Sequence, residues 1–133
     1  MATAGSAKVL VDTSAWIAFF RRETTVHARV TELIDDDRVA CCGLILAELV
    51  QGVKSEGEIA GLDDFLMVFE FPVEPPMLWR QAGELSFRMR KSGKTVGLAD
   101  CYIAVLAREM GYSILTLDKH FGVLAKETGV KLV

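Results

Sequence analysis

Short runs of apolar residues alternate along this chain with segments of helical periodicity, and this alternation restricts the fold more than any other feature. The apolar runs are rich in β-branched residues and apolar on both faces, which is typical of strands buried in a parallel sheet. We predict such strands at residues 7–11, 39–42, 68–71, 113–117 and 131–133. Helical segments between them favour helices on both faces. The predicted fold class is therefore α/β, a three-layer α/β/α sandwich with a central, mainly parallel sheet of about five strands.

Helix start and stop signals divide the remaining segments. Ser14 is suited to cap the first helix, and Ser55 with Glu58 three residues later has the pattern of a capping box. The segment from Leu98 to Met110 is apolar at helical spacing and stops at Gly111. These signals predict several short helices and one long buried helix near the C-terminal end of the sequence.

The chain has the length of one domain and the composition of a folded protein. Its 133 residues contain no linker and no internal repeat, so we expect a single domain over residues 1–133, with residues 1–6 as a flexible tail. No charge-free apolar run approaches the ~20 residues needed to cross a bilayer, so we expect no membrane association. Three cysteines, two of them adjacent, cannot all pair within one chain, which favours a reducing, cytoplasmic location.

Four carboxylates are placed so that they meet at one edge of such a sheet. Open parallel sheets bind ligands beyond the carboxyl ends of their strands. Asp12 directly follows the first predicted strand, and Asp118 directly follows the fourth. Glu48 lies on the helix after the second strand, and Asp100 lies in the first turn of the helix before the fourth. The topology therefore predicts one acidic site built from remote parts of the chain.

Each of these acids also has a simpler structural explanation. Asp12 and Asp118 are suited to cap the helices that follow them, and Asp100 suits a first helical turn, where the helix dipole favours an acid. Glu48 interrupts an apolar run with no base three or four positions away, and an exposed helix face is its alternative. If the four acids converge, their repulsion calls for a cation. A site of oxygen ligands favours Mg²⁺ or Mn²⁺. The sequence contains only two histidines, which argues against a histidine-based zinc or iron site.

The residues around the four acids resemble one family. The matching segments are Val9-Leu10-Val11-Asp12-Thr13-Ser14-Ala15-Trp16, Glu48-Leu49 with Gly52, Leu98-Ala99-Asp100, and Leu115-Thr116-Leu117-Asp118 with Phe121. They resemble the PIN-domain nucleases, and most closely the small VapC toxins of bacterial and archaeal toxin–antitoxin pairs. The resemblance covers nearly the whole chain from Lys8 onward, and the order and spacing of all four acids agree with it.

The resemblance implies an endoribonuclease that hydrolyses RNA phosphodiester bonds with Mg²⁺, for which Mn²⁺ substitutes. Its catalytic and metal-binding residues are expected to be the four acids Asp12, Glu48, Asp100 and Asp118. Direct metal ligation is expected from Asp12 and Asp100, and the other two acids would complete the site directly or through metal-bound water. A second ion would support phosphodiester hydrolysis symmetrically, and the sequence leaves one metal or two open.

Four further positions follow from the same resemblance. Thr13 and Thr116 match small polar positions that support the acidic site. The sequence departs from the family pattern at Cys101, where a small residue such as alanine is commoner, and at His120, where a second acid often follows. Neither departure affects the four acids.

The resemblance also implies partners. An RNA substrate, a cognate VapB-like antitoxin and a second copy of the chain in a homodimer are expected. Such antitoxins wrap the toxin's helices and place a basic side chain near the acids. Trp16, Phe19 and Phe20 are interpreted as core residues, and the alternative is that part of this face binds the antitoxin.

A basic segment precedes the helix that carries Asp100. Arg88, Arg90, Lys91 and Lys94 lie within seven residues, shortly before this acid. We interpret them as a patch that tracks RNA phosphates, and a solvated helix end is the alternative. The formal net charge of −3 does not exclude RNA, because 14 acids against 15 bases remain once the four proposed site acids are set aside.

Two other functions remain open at this point. One is a PIN nuclease that processes RNA without an antitoxin. The other is a non-catalytic PIN-like interaction domain, and the intact set of four acids counts against it.

Overall fold

Three parallel strands form the centre of the sheet. The computed structural model describes residues 7–133, so the expected tail at residues 1–6 lies outside the described residues. The strands lie in the order β2-β1-β3 and are β1 (Val9–Val11), β2 (Val39–Ala40) and β3 (Ser113–Leu115). Val9 pairs with Val39 on one side and with Ser113 on the other, and both pairings are parallel.

The prediction of about five strands was wrong in number. The outer segments, expected as strands at residues 68–71 and 131–133, form only single bridges, Glu70 with Ala40 and Leu132 with Ile114. Pairing at Glu70 is limited because β2 ends at Ala40, where the chain turns into the next helix, and because Pro72 has no N–H to donate. The two outer segments still extend the sheet in parallel on both sides.

Helices cover the two faces of the sheet in two groups. Within residues 7–133 they are α1 (Thr13–Phe20), α2 (Thr24–Asp35), α3 (Gly43–Gln51), α4 (Glu56–Leu66), α5 (Met77–Lys91), α6 (Leu98–Met110) and α7 (His120–Thr128). Helix α1 packs on α2 and α3, and α3 packs on α4, whereas α6 packs on α5 and α7. The chain crosses the sheet in one direction from β1 to Glu70 and then returns to β3. Right-handed crossovers therefore place α1 to α4 on one face and α5 to α7 on the other.

The core lies between these layers and the sheet. All three residues of β1 are completely buried, as expected for a strand covered on both faces. Trp16 on α1 and Tyr102 on α6 are also completely buried. Replacing Leu10 by alanine would remove buried methyl groups from the centre of this core and cost about 2–5 kcal/mol. None of the helices in the described residues is long and apolar enough to span a membrane.

The helix ends agree only in part with the sequence signals. Helix α6 has the predicted bounds, and Gly111 ends it with a φ of +71°. The prediction that Ser14 caps the first helix was wrong, because α1 begins at Thr13 and Ser14 lies in its first turn. Ser55 precedes α4 without a side-chain capping hydrogen bond, and Glu58 instead accepts a hydrogen bond from the Lys54 amide at 3.0 Å.

Candidate active site

The sheet topology creates a crevice at the carboxyl ends of β1 and β3. The chain leaves β1 towards β2 and leaves β3 towards Leu132, so the two connections diverge at these neighbouring strands. Ligands in open α/β sheets bind where connections diverge in this way. Asp12 directly follows β1, and Asp118 lies three residues beyond β3.

Asp12 is buried beside this crevice and accepts two hydrogen bonds from side chains. It is the one charged residue that is buried within the described part of the chain, with 6 % exposure. Its Oδ2 atom accepts hydrogen bonds from Ser14 Oγ at 3.1 Å and Thr116 Oγ1 at 2.9 Å. The side chain makes no capping hydrogen bond to α1, so capping does not explain this aspartate. Both hydroxyls orient one carboxylate oxygen and leave Oδ1 for other contacts.

Glu48 reaches the same edge from α3. The Thr13 hydroxyl donates a hydrogen bond to Glu48 Oε1 at 2.7 Å, and the glutamate is half-buried. Because Thr13 follows Asp12 in the chain, this bond joins α3 to the end of β1. The two threonines expected to support the site, Thr13 and Thr116, therefore each donate to one of the predicted acids.

Asp118 combines a structural contact with a place in the cluster. Its Oδ1 atom accepts a hydrogen bond from the His120 amide at 2.9 Å, so the aspartate does cap the start of α7. The same oxygen lies 3.2 Å from His120 Nδ1. Potential ligand atoms of Asp100, Asp118 and His120 all lie within 4.8 Å of one another. His120, which the sequence places two residues after Asp118, was interpreted as a solvated residue at a helix start and as a departure from the family pattern, and the structure places it beside this acid.

The pKa of Asp100 reflects its burial and the charges around it. Burial raises the pKa of this carboxyl group to about 6, and the charges of Asp118, Asp12 and Glu48 contribute to the rise in that order, while His120 opposes them. The structure thus brings all four predicted acids within electrostatic range. Such a concentration of negative charge in a crevice is suited to holding a divalent cation.

Ser14 is a residue of this site whose contacts the sequence analysis missed. Its hydroxyl donates to Asp12, lies 3.3 Å from Thr116 Oγ1 and accepts a hydrogen bond from the Leu117 amide at 3.0 Å. Ser14 therefore joins the segment after β1 to the segment after β3. A hydroxyl two residues from a candidate ligand was the only local signal for this role.

The predicted basic patch lies at the end of α5, a helix that carries none of the four acids. Arg88, Arg90 and Lys91 occupy the last turn of α5, and Lys94 lies in the loop that leads to α6. Within the described chain, these side chains form no salt bridge with the four acids. The cationic groups of Arg90 and Lys91 instead lie 5.9 and 5.7 Å from the ring centre of Phe87, which is half-exposed.

Comparison with known proteins gives consistent matches. Residues 9–127 match the PIN domain family. The chain is 30 % identical over 128 residues to the VapC ribonuclease Mb1587 of Mycobacterium bovis, an alignment that covers 92 % of this chain and 96 % of that protein.

Solved structures share the fold. DNA-bound VapBC from Salmonella typhimurium superposes with a TM-score of 0.78 at 22 % identity, covering 96 % of this chain and 97 % of that one. VapBC-5 from Mycobacterium tuberculosis, described as a member of the VapBC family of toxin-antitoxin systems, superposes with a TM-score of 0.62 at 26 % identity. That match covers 96 % of this chain and 98 % of the other.

Proposed function

The chain belongs to the PIN domain family, and on this basis we propose that it is an endoribonuclease that acts as the toxin of a toxin–antitoxin pair. The observation that carries the proposal is the convergence of four carboxylates at the crevice, expressed in the pKa of Asp100. Similarity to a VapC ribonuclease over 92 % of the chain supports RNA as the substrate. We also propose that the sequence forms one domain.

We propose that the acidic site holds Mg²⁺, with Mn²⁺ as a substitute. The donor set fits, because carboxylate oxygens are the preferred ligands of both ions and the other three acids lie close enough to Asp100 to raise its pKa. Asp12 and Asp100 are the proposed direct ligands, and Glu48 and Asp118 complete the site directly or through water. When bound, the ion supplies an activated water and neutralises charge that develops on the phosphate.

The chain's own residues prepare the site for this ion. Ser14 and Thr116 fix one oxygen of Asp12, and Thr13 fixes one oxygen of Glu48. These hydrogen bonds restrict the rotation of both carboxylates. The second oxygen of each therefore needs less reorganisation to bind the metal ion. We propose supporting roles for both threonines on these contacts.

Cleavage of RNA by the purified protein tests the proposal. Wild type with Mg²⁺ or Mn²⁺ is expected to cleave RNA, and Asp12→Asn, which keeps the size of the side chain, is expected to lose this activity. Asp36→Asn serves as the matched control, because this acid is exposed at the end of α2. Equal cleavage by wild type and Asp12→Asn would indicate a contaminating nuclease and favour a non-catalytic interaction domain.

We propose that the basic patch guides RNA phosphates to the acids. The loop after α5 leads directly into α6, so the patch and Asp100 belong to the same end of this helix pair. Arg88 lies 3.9 Å from Glu84, whereas Arg90 and Lys91 form no salt bridge in the described part of the chain.

Charge reversal tests the patch. Arg90→Glu with Lys91→Glu is expected to weaken RNA binding and to flatten its salt dependence, because fewer counterions are released from the phosphates. Arg80→Glu on the first half of α5 is the matched control. Unchanged binding by the double variant would leave only a solvated helix end.

We propose that a VapB-like antitoxin inhibits the protein by occupying the groove between α1, α3 and α4. This groove has a volume of about 590 Å³ and an apolar lining that includes Ile17, Phe20 and Leu62. Phe20 was interpreted as a core residue, but it is 45 % exposed and faces this groove. Glu48 also lines the groove, so a basic side chain of the partner has an acid of the site within reach.

A charge placed in the groove separates inhibition from catalysis. Phe20→Glu is expected to keep RNA cleavage and to lose inhibition by a VapB-like antitoxin that inhibits the wild type, measured by cleavage with increasing antitoxin. Val123→Glu, on α7 at the other face of the sheet, is the control. Full inhibition of Phe20→Glu would place the antitoxin elsewhere.

We also propose a homodimer that works in the cytoplasm. The three cysteines are buried free thiols, which is typical of a reducing compartment. Met77 and Trp79 at the start of α5 are large apolar residues with exposures near one half, and they offer a surface for a second copy. Light scattering of the purified protein, compared with Met77→Glu, tests the dimer and this surface together.

A further inference from the structure

Helix α3 begins without a cap of its own. Its N-cap residue, Cys42, makes no side-chain capping hydrogen bond, and the first turn contains no acid. The Gly43 amide instead donates a hydrogen bond to Glu74 Oε2 at 3.1 Å. Glu74 lies 31 residues away in the segment between α4 and α5, so a distant carboxylate caps the helix and complements its dipole.

The other oxygen of Glu74 binds a second helix. Tyr102, completely buried on α6, donates its hydroxyl hydrogen to Glu74 Oε1 at 2.5 Å. The Trp79 ring stacks on the Tyr102 ring at 3.8 Å and 17°, which fixes the tyrosine from the side of α5. One carboxylate therefore joins the start of α3 to the first half of α6.

These are the two helices that bring acids to the crevice from the sides. Glu48 lies five residues after Gly43, and Asp100 lies two residues before Tyr102. Helix α3 packs mainly on α1 and α4, and α6 packs mainly on α5, α7 and β3. The two helices also belong to opposite faces of the sheet. Glu74 thus connects helices that belong to the two opposite layers.

We propose that Glu74 is a positioning residue that sets the separation of Glu48 and Asp100 through Gly43 and Tyr102. This inference rests on the proposed ribonuclease function, because it assigns the two acids to one metal-dependent site. A bridge with two hydrogen bonds to a charged group resists small shifts of either helix. Displacement of the acids by a fraction of an ångström changes metal affinity and the rate of the chemical step more than substrate binding.

The same segment supplies a matched control. Glu70, four residues before Glu74, accepts a hydrogen bond from the hydroxyl of Tyr112. Tyr112 follows α6 and precedes β3, at the end of the sheet opposite to the acids. The two pairs share their residue types and their segment, but only the Glu74 pair contacts the start of an acid-bearing helix.

The experiment compares Glu74→Gln and Tyr102→Phe with Glu70→Gln and Tyr112→Phe in the full chain. In Glu74→Gln the amide oxygen can still accept from the Gly43 N–H, while the NH₂ group faces the Tyr102 hydroxyl, so the negative charge and the charge-assisted hydrogen bond from Tyr102 are lost. We expect both variants of the Glu74 pair to lower kcat about 10-fold with KM within about twofold of wild type. We expect Mn²⁺ affinity, measured by electron paramagnetic resonance of the free ion, to fall about 10-fold. The Glu70 pair should leave both quantities within about twofold.

The outcomes separate this inference from the proposed function. If wild type does not cleave RNA, the ribonuclease proposal fails, and Mn²⁺ affinity alone decides the role of Glu74. The proposal would be wrong if folded Glu74→Gln kept its Mn²⁺ affinity, or if the Glu70 pair lost as much kcat and Mn²⁺ affinity as the Glu74 pair. Both pairs would then only stabilise the fold. If Glu74→Gln does not fold, Tyr102→Phe decides, because it keeps the Gly43 bond and the ring stacked on Trp79.

Discussion

The two ends of the sheet differ in how their charged residues are paired. At the amino end, Lys8 Nζ lies 3.6 Å from Asp37 Oδ1 and donates a hydrogen bond to the Asp37 carbonyl at 2.7 Å. Arg38 Nε donates to the Ala7 carbonyl at 3.0 Å. At the carboxyl end, the charges of Asp118, Asp12 and Glu48 all raise the pKa of Asp100, and His120 opposes them.

This difference separates what stabilises the fold from what serves the site. Opposite charges and backbone acceptors at the amino end compensate each other, whereas like charges at the carboxyl end raise the free energy of the folded state. Like charges without a compensating partner oppose folding, and proteins tolerate them mainly at functional sites. The repulsion in this chain lies where the active site is proposed. The following experiments change the charges at one end, and the variant Asp37→Asn at the amino end is the reference for two of them.

Removing one charge at the carboxyl end should have the largest effect. Asp100→Asn is expected to lower RNA cleavage more than about 100-fold, beyond the loss seen when a residue only supports a metal ligand. Its Tm in metal-free buffer should rise by a few degrees, because the repulsion among the acids is reduced. The measurements are cleavage with Mn²⁺ and thermal unfolding with a chelator.

Asp37→Asn at the amino end is the reference for this prediction. Asp37 has a φ of 54°, a conformation that asparagine also adopts, so the exchange removes charge without backbone strain. Cleavage within twofold of wild type is expected. Full activity in Asp100→Asn would show that the two ends do not differ in function.

Addition of a divalent ion should remove the imbalance between the ends. At a concentration of 100 times its Kd, Mg²⁺ or Mn²⁺ would stabilise the protein by about 2.7 kcal/mol, which corresponds to a rise in Tm of roughly 10 °C for a domain of this size. The double variant Asp12→Asn with Asp100→Asn should show no such rise. An equal rise in wild type and double variant, at matched ionic strength, would mean that the ion binds elsewhere.

The titration of Asp100 predicts how stability depends on pH without metal. Its pKa is about 6 in the folded protein against an ordinary value of 3.8, so the folded state retains a proton that the unfolded chain releases. Stability from this group is therefore greatest below about pH 4 and falls as the pH rises towards 6. Because the side chain is partly exposed, we expect a loss of only about 1 kcal/mol.

Urea unfolding at pH 4.5 and pH 7 in a chelator measures this loss. Asp100→Asn should show a smaller difference between the two pH values than wild type, and the variant Asp37→Asn should match wild type. The same pH dependence in all three proteins would remove Asp100 as its cause.

The smallest effect is expected at the amino end. Lys8→Ala removes the contact with Asp37, and an ion pair whose acid is 95 % exposed contributes about 0–1 kcal/mol. Unfolding in urea should shift slightly, and RNA cleavage should stay within twofold. A large loss of activity would contradict the separation of stability and function between the two ends.

The sequence predicted those features that local patterns determine. The bounds of α6 follow from the apolar spacing between residues 98 and 110 and from the glycine that ends it. The α/β class and the meeting of four acids at one edge follow from strand order and polarity. The roles of these acids in metal binding and catalysis remain predictions.

Features that depend on distant partners were missed. The segments at residues 68–71 and 131–133 have strand composition, but pairing requires a neighbouring strand of sufficient length, and each forms one bridge. Serine is a favourable capping residue, but the Ser14 hydroxyl donates its hydrogen bond to the buried carboxylate of Asp12, which is a stronger acceptor. Nothing near Glu74 indicates that it caps a helix 31 residues earlier.

The hydrogen bond between Thr116 and Asp12 has a consequence for synthesis of the chain. These residues are 104 positions apart, and ribosomes add roughly 5–20 residues per second. Asp12 is therefore made about 5–20 s before Thr116, and Asp118 follows later still. A nascent chain does not present the four-carboxylate site during this interval, so the proposed toxin becomes able to attack RNA only after Asp118 has been added.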